Sequence, residues 1–427
     1  MHRQKIARNV RGPVLAIALV GLAACDFKVT NPGPTLDKYL SDTVATRAEV
    51  NGIGYSLSNG LNYLALQGAV AARELFPTGT SGQFGIEPRN WVGYLVTEEQ
   101  GTVWNALQQA RWLGDQVVTR IRGTLGEAAF AKHPLAAQAL VWRGFTYRVL
   151  GENMCFSVID RGPLKPAAED VQRAESTFTA AIAVATAANS ASLVNASYAG
   201  RAQARLLLGN WDGAKADAAM VPTSFTYQMP YYATGDAPGY NRVYWSSTTE
   251  GLYKSHSSWK TWYAKYYDLS TDPRVKYTKT TLTGAGIFPP VGKVPWWPQA
   301  KYANRAAGIN LASGREMRLI EAEAALHASD IATAIARINT VRTLANVSPV
   351  AVPSVIADAW TLLKRERGIE LWLEGRRIGD FRRWLAAGTP GDLDPLEVVG
   401  ATSYLDSQGT CFPLSQSEID TNPNAKP

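Results

Sequence analysis

Lys364-Arg-Glu-Arg-Gly-Ile-Glu-Leu-Trp-Leu-Glu-Gly-Arg-Arg-Ile-Gly-Asp-Phe-Arg-Arg-Trp384 packs charges of both signs among Ile369, Leu371, Trp372, Leu373 and Phe381. Glu366, Glu370 and Glu374 are four apart, which on one continuous helix stacks them in a single stripe, with Arg367 about 100° round the axis. Carboxylates so placed admit two readings. One is a glycosidase pair, an acid and a nucleophile. The other is an ion-pair signature, Glu366, Arg367, Glu370, Glu374, Arg376, Asp380 and Arg383, in which Arg376, Arg377, Arg382 and Arg383 neutralise the acids. The arginines favour the second, because nearby cations oppose the raised pKa that a general acid needs.

Outward from this run the chain reads as helices. Val103, Leu107, Ala110, Leu113 and Val117 recur at three- and four-residue spacing within Glu99 to Ile121. Leu135 to Leu150, Val171 to Ala188 and Ala196 to Leu208 do the same. Helices resume at Ser313 and run through Val341, and a further helical region spans Ser354 to Ala386. Ala202, Trp211, Ala214 and Ala218 match Ala322, Ile331, Ala334 and Ile338 at a constant offset of 120 residues. Small residues at those places let antiparallel helices approach closely, a pattern similar to a degenerate tetratricopeptide repeat. Between the two halves, Phe225 to Tyr302 carries 18 aromatics in 78 residues, with Pro, Gly, Ser and Thr between them and no sustained period. A loop-rich insertion of that length is usually functional.

At 427 residues, with 46% hydrophobic and 19% charged, the chain can bury a core without metal or disulfide staples. Its net charge of +7 owes four units to Arg3, Lys5, Arg8 and Arg11, in a leader without acids. The remaining +3 leaves no basic stripe for nucleic acid. Val14 to Ala24 is half the length of a spanning helix and ends in Leu22-Ala23-Ala24-Cys25. That tetrad resembles the lipobox of bacterial lipoproteins, which makes Cys25 the lipidation site after a 1–24 signal peptide. Residues 25–41 form a polar tether, and 42–427 one domain: helical pairs over 42–222, the aromatic excursion over 223–310, and helical pairs with the C-terminal signature over 311–427. In an exported chain the remaining cysteines, Cys155 and Cys411, can form a disulfide; two separately buried thiols are the alternative. Four scattered histidines give no metal-binding pattern, and no Gly-x-Ser-x-Gly elbow occurs. The reading is of no enzyme, metal or cofactor.

The run "ERGIELWLEGRRIGDFRRW" resembles the C-terminal signature of the SusD/RagB family of outer-membrane nutrient-binding lipoproteins. The lipobox, the helix pair Arg318 to Arg342 and the ending "FPLSQSEIDTNPN" (Phe412 to Asn424) fit the same family, in the same order. The resemblance implies an all-α fold of four tetratricopeptide-like helix pairs with a loop-rich ligand face. It further implies a lipid-anchored position on the outer membrane, facing the exterior, over a SusC-like TonB-dependent transporter that receives captured oligosaccharide or peptide.

A sugar offers apolar faces ringed by hydroxyls, so its site needs flat aromatics beside amide, guanidinium or carboxylate groups. Two segments hold that mixture. Arg89, Asn90, Trp91 and Tyr94 lie in a Gly-rich loop, and Trp245, Trp259, Trp296 and Trp297 lie in the aromatic excursion. A lipid-anchored repeat scaffold that binds only proteins would instead bury the aromatics of the excursion.

Overall fold

The computed structural model describes residues 45–78, 88–234, 239–247, 254–287, 292–397 and 410–426; the signal segment, Cys25 and the tether lie outside them. Helix α1 (Thr46–Ala71) leads through strand β1 (Phe76–Pro77) to α2 (Gly101–Leu125). The two pack antiparallel so closely that a Cβ on Gly60 would meet Leu107 Cδ2 at 2.6 Å. Helix α3 (Pro134–Asn153) starts at a proline, which lacks the N–H a first turn leaves unused, and His133 Nδ1 accepts the Leu135 N–H at 3.2 Å. A hairpin of β2 (Phe156–Ser157) and β3 (Lys165–Pro166) precedes α4 (Ala168–Ala187). Helices α5 (Ala191–Leu207) and α6 (Trp211–Ala219) follow. The Phe178 ring wedges between Gly144 of α3 and Gly200 of α5, where a Cβ would meet it at 2.7 and 2.2 Å. The absence of side chains at those two sites is what lets three helices share one ring.

The aromatic excursion is not an open loop. Its first strand, β4 (Thr226–Met229), pairs antiparallel with its last, β6 (Ile309–Ser313), so both ends leave the scaffold at one place. Between them β5 (His256–Ser257) returns to pair with β1, and α7 (Trp262–Ser270) packs beside the C-terminal helices. Helices α8 (Gly314–His327) and α9 (Ile331–Leu344) then form the fourth pair. The 120-residue offset is real in three dimensions. Asn210 and Asp330 cap α6 and α9 identically, each accepting the N–H three residues on, and each follows a residue at positive φ, Gly209 and Ser329.

Helices α10 (Ile356–Glu370) and α11 (Arg377–Ala387) carry the signature, and here the sequence reading needs correction. The helical region is broken at Leu371–Arg376, so Glu374 leaves the stripe of Glu366 and Glu370. The break is built in: Leu373 and Gly375 hold positive φ (62° and 69°), and Gly375 lies against the α1 backbone, 3.4 Å from Ala65 Cα to its would-be Cβ. Glu74 fixes the turn by accepting the Leu373 N–H at 2.9 Å on Oε1, while its carbonyl accepts Trp372 Nε1–H at 3.2 Å. The ion pairs are also less local than the signature suggests. Arg367 and Arg383 do hold Asp380, at 3.0 and 2.8 Å. Arg376 instead pairs with Glu152 of α3 and Glu316 of α8, both at 2.8 Å. Arg383 reaches Glu323 of α8, and Arg377 takes Glu397 with two nitrogens, Nε and Nη2. Glu366 accepts from Arg274 and Arg342, and Glu374 from Lys301. Arg382 neutralises no acid; it donates to the Met154 and Gly151 carbonyls.

The tail 410–426 is fastened to the first three helices. Cys155 and Cys411 are joined by a disulfide, Phe412 exchanges backbone hydrogen bonds with Asn153 and Cys155 at 2.8 and 2.9 Å, and the buried Trp104 donates to Glu418.

Two outcomes follow from these fastenings. Cross-linking positions 256 apart restricts the unfolded chain, worth about 5 kcal/mol in the chain-entropy model before native strain is subtracted. Cys155→Ser with Cys411→Ser should therefore lower the urea midpoint by several kcal/mol equivalent while leaving the circular dichroism of the helices intact. Glu74 sets a pH dependence. Burial pushes its carboxyl from 4.5 up to about 8, against the lowering effect of the Leu373 N–H. The folded chain keeps a proton that the unfolded chain releases, so this contribution to stability is full below about 4.5 and declines as pH rises to about 8. Asp170, pushed up to about 7 by burial, adds to the same slope. Glu74→Gln keeps the acceptor and removes the titration. It should match wild type in urea at pH 5 and exceed it at pH 9 by on the order of 2–4 kcal/mol.

Candidate functional site

Ser257 organises the aromatic face. Its buried hydroxyl donates to the Pro295 carbonyl at 2.8 Å and accepts the backbone N–H of Trp259 at 3.1 Å and of Trp297 at 2.9 Å. Three stretches distant in sequence are thereby laced side by side, since β5 carries Ser257 and also pairs with Phe76–Pro77. The segment Pro295-Trp-Trp-Pro298 is extended, so its two indoles point to opposite sides. Trp296 turns inward and is 1% exposed, while Trp297 stays half-buried, stacked on Tyr277 at 5.6 Å with Lys279 Nζ 5.5 Å from its ring. Lys279 is steadied there by Asp268, whose other oxygen accepts the Tyr277 hydroxyl at 2.8 Å.

Two of the sequence candidates meet on Phe76. Trp91 packs on it at 4.7 Å and Trp259 edge-on at 5.1 Å. Trp91, 9% exposed, is the inner wall of this cluster; Trp259 is half-buried and forms its rim, beside the exposed Lys260. Arg73 holds the wall in place: its guanidinium lies 4.9 Å from the Trp91 ring and its Nε donates to the Trp91 carbonyl at 2.9 Å. The loop bearing Trp91 is fixed from within by buried Asn90, which donates to the Tyr94 carbonyl at 3.1 Å. That leaves the Tyr94 ring 52% exposed, with the exposed Arg89 paired to Glu99 nearby. Trp245 sits apart from this cluster, half-buried and tilted against Tyr240 at 6.0 Å. The structure thus brings Trp91 and Trp259 onto one ring, while Trp297, tied to the same Ser257, stacks on Tyr277 instead. It withdraws Trp296 into the interior.

Arg73, Phe76 and Ser257 were not singled out from the sequence. Arg73 follows α1 at a positive φ of 60°, and Ser257 is one serine among several; neither carries a sequence signal of its role. A cleft of about 390 Å³ was missed as well. It lies between α7 and α10 and is closed by residues 392–397. Arg73 links it to the cluster, because its Nη1 donates to the Leu396 carbonyl at 3.4 Å.

The described residues thus form a scaffold of helix pairs that presents one aromatic, loop-built face. Residues 311–426 match the model of the SusD family. No curated protein sequence matches the chain. Among solved structures, a SusD superfamily protein from Bacteroides thetaiotaomicron superposes with a TM-score of 0.64 at 16% identity, over 89% of this chain and 98% of that one. A SusD-like carbohydrate-binding protein from Bacteroides fragilis gives 0.63 at 15% identity, over 91% and 100%. A structure described as a complex with a xylogluco-oligosaccharide gives 0.58 at 15% identity, over 79% and 82%. The resemblance to the SusD/RagB family drawn from the sequence stands: the signature lies inside the matched region, and the fold is SusD-like over nearly the whole described chain.

Proposed function

We propose that this protein captures oligosaccharide at the cell surface and hands it to a SusC-like TonB-dependent transporter, without catalysis. Lipidation at Cys25 would hold it on the outer membrane facing outward; several acyl chains anchor stably where one is marginal. No described helix is long and apolar enough to cross a membrane. The observation that carries the reading is the convergence of Trp91 and Trp259, 168 residues apart, on Phe76, with the Trp259 rim and the Tyr94 ring left open to solvent. The Trp259 rim with Lys260 beside it, and the open Tyr94 ring in the loop where Arg89 pairs with Glu99, suit pyranose faces and their hydroxyls. Two solved relatives support the chemistry, one described as carbohydrate-binding and one holding a xylogluco-oligosaccharide. A scaffold that binds only proteins would bury the excursion's aromatics; Trp296 is buried, but Trp259 and Trp297 keep part of their surface open.

The test is tryptophan fluorescence of the chain from Asp26 onward, titrated with neutral oligosaccharides and with peptides. Saturable quenching by one oligosaccharide class is expected. Trp259→Ala should weaken it about tenfold, the size of one lost ring contact, while preserving the fold. A response to peptides alone, or none to any sugar, would contradict glycan capture.

A further inference from the structure

The cleft between α7 and α10 has a wall and a charge pattern of its own. Trp262, Tyr266 and Leu269 recur at helical spacing along α7, and Leu269 stands 80% exposed at the lip. Facing them on α10 are Thr361, Lys364 and Arg365. Nearly every other arginine of the C-terminal region is taken up by an acid or a carbonyl within hydrogen-bond distance. Among the described residues Arg365 is the exception. Its Nε lies 4.0 Å from Glu366 Oε1, and both Glu366 oxygens already accept from Arg274 and Arg342. Its guanidinium lies 5.8 Å from the Tyr266 ring.

Lys265 is in a similar state, exposed and 4.0 Å from Asp394. Lys364 donates to carbonyls, Gly391 O at 2.8 Å and Thr389 O at 3.4 Å, and burial with Arg377 nearby holds its amine below the ordinary lysine range. The acids on the cleft are differently placed. Glu397 is saturated by Arg377, and Asp394 Oδ1 accepts the Leu396 N–H. Asp392 is exposed beside Thr361, whose hydroxyl accepts the Asp392 N–H at 2.9 Å. The cleft therefore has a guanidinium to spare beside an aromatic ring, and in Asp392 and Asp394 carboxylates able to accept hydroxyl hydrogens.

We propose that this cleft is a second saccharide site, selective for uronic-acid residues, with the sugar carboxylate on Arg365 and Lys265 and the ring against Tyr266 and Trp262. A neighbouring sugar would donate hydroxyls to Asp392 and Asp394. A planar carboxylate matches the guanidinium fork better than any neutral sugar group does. The volume, about 390 Å³, falls in the range of small-ligand sites. The assignment rests on the reading of glycan capture and names a substrate class for it, because Arg73 ties the cleft's closing turn to the Trp91 cluster and one chain of sugars could engage both.

The experiment is calorimetric titration of the chain from Asp26 onward with oligogalacturonate, oligoglucuronate and alginate trimers, their methyl esters and neutral trimers, at low and high salt. At least one uronate should bind. Esterification, Arg365→Gln, and raised salt should each weaken it about tenfold or more, and Lys265→Gln by less. Among the described residues Arg365 makes no hydrogen bond, so its variant should melt with wild type, and Tyr266→Ala gives an independent loss through the ring. Equal binding of ester and acid, or indifference to Arg365→Gln, would overturn the site. Binding of neutral trimers through Trp259 with no uronate bound would sink this inference and leave glycan capture standing; binding of no sugar at all would sink both.

Discussion

Arg376 has its charge buried between Glu152 on α3 and Glu316 on α8, and the rest of the molecule is arranged around that contact. A guanidinium out of water must find its acids or pay several kcal/mol, and removing one partner from such a pair typically costs 3–5 kcal/mol. The constraint is geometric as much as energetic. Arg376 can reach both acids only if the chain stops being helical after Glu370, turns through Leu373 and Gly375 at positive φ, and presents Gly375 to the backbone of α1. Arg148, on the same helix, also binds Glu152, so the network joins the second and fourth helix pairs.

The same turn positions the aromatic face. Its carbonyls are acceptors for the excursion: Lys301 Nζ donates to Trp372 O and reaches Glu374, and the Tyr302 hydroxyl donates to Leu373 O at 3.0 Å. Trp372 stacks on Tyr263 of α7 at 5.7 Å. The excursion is thus held at its base by the β4–β6 pair, at its far end by the signature turn, and in its middle by β1. Ser257 then needs only three hydrogen bonds to set Trp259 and Trp297.

Helices and the repeat were legible because they rest on local periodicity: Ala202 and Ala322, or Trp211 and Ile331, sit where spacing alone placed them. The signature was legible as an ion-pair device, since so many arginines beside few acids had little else to do. Its partners were not. Glu152, Glu316 and Glu323 come from helices that sequence cannot bring near Arg376 and Arg383 without the fold. The break at Leu371 was hidden for a different reason. Leu373, a helix former, is forced to positive φ by tertiary hydrogen bonds to Glu74, which override its propensity. For the site, residue type marked Trp259, Trp296 and Trp297 alike as candidates and carried nothing of their exposure, so it could not separate the half-buried Trp297 from the buried Trp296. Those neighbours differ only in which side of an extended strand they occupy.

The most direct test is amide hydrogen exchange of Arg376→Met against wild type, read by mass spectrometry across α3, α8 and residues 371–387. If the buried cation couples the helix pairs to the signature turn, protection should fall in all three regions together. Loss confined to 371–387, with α3 and α8 as protected as before, would show that the scaffold stands without the contact and contradict the account.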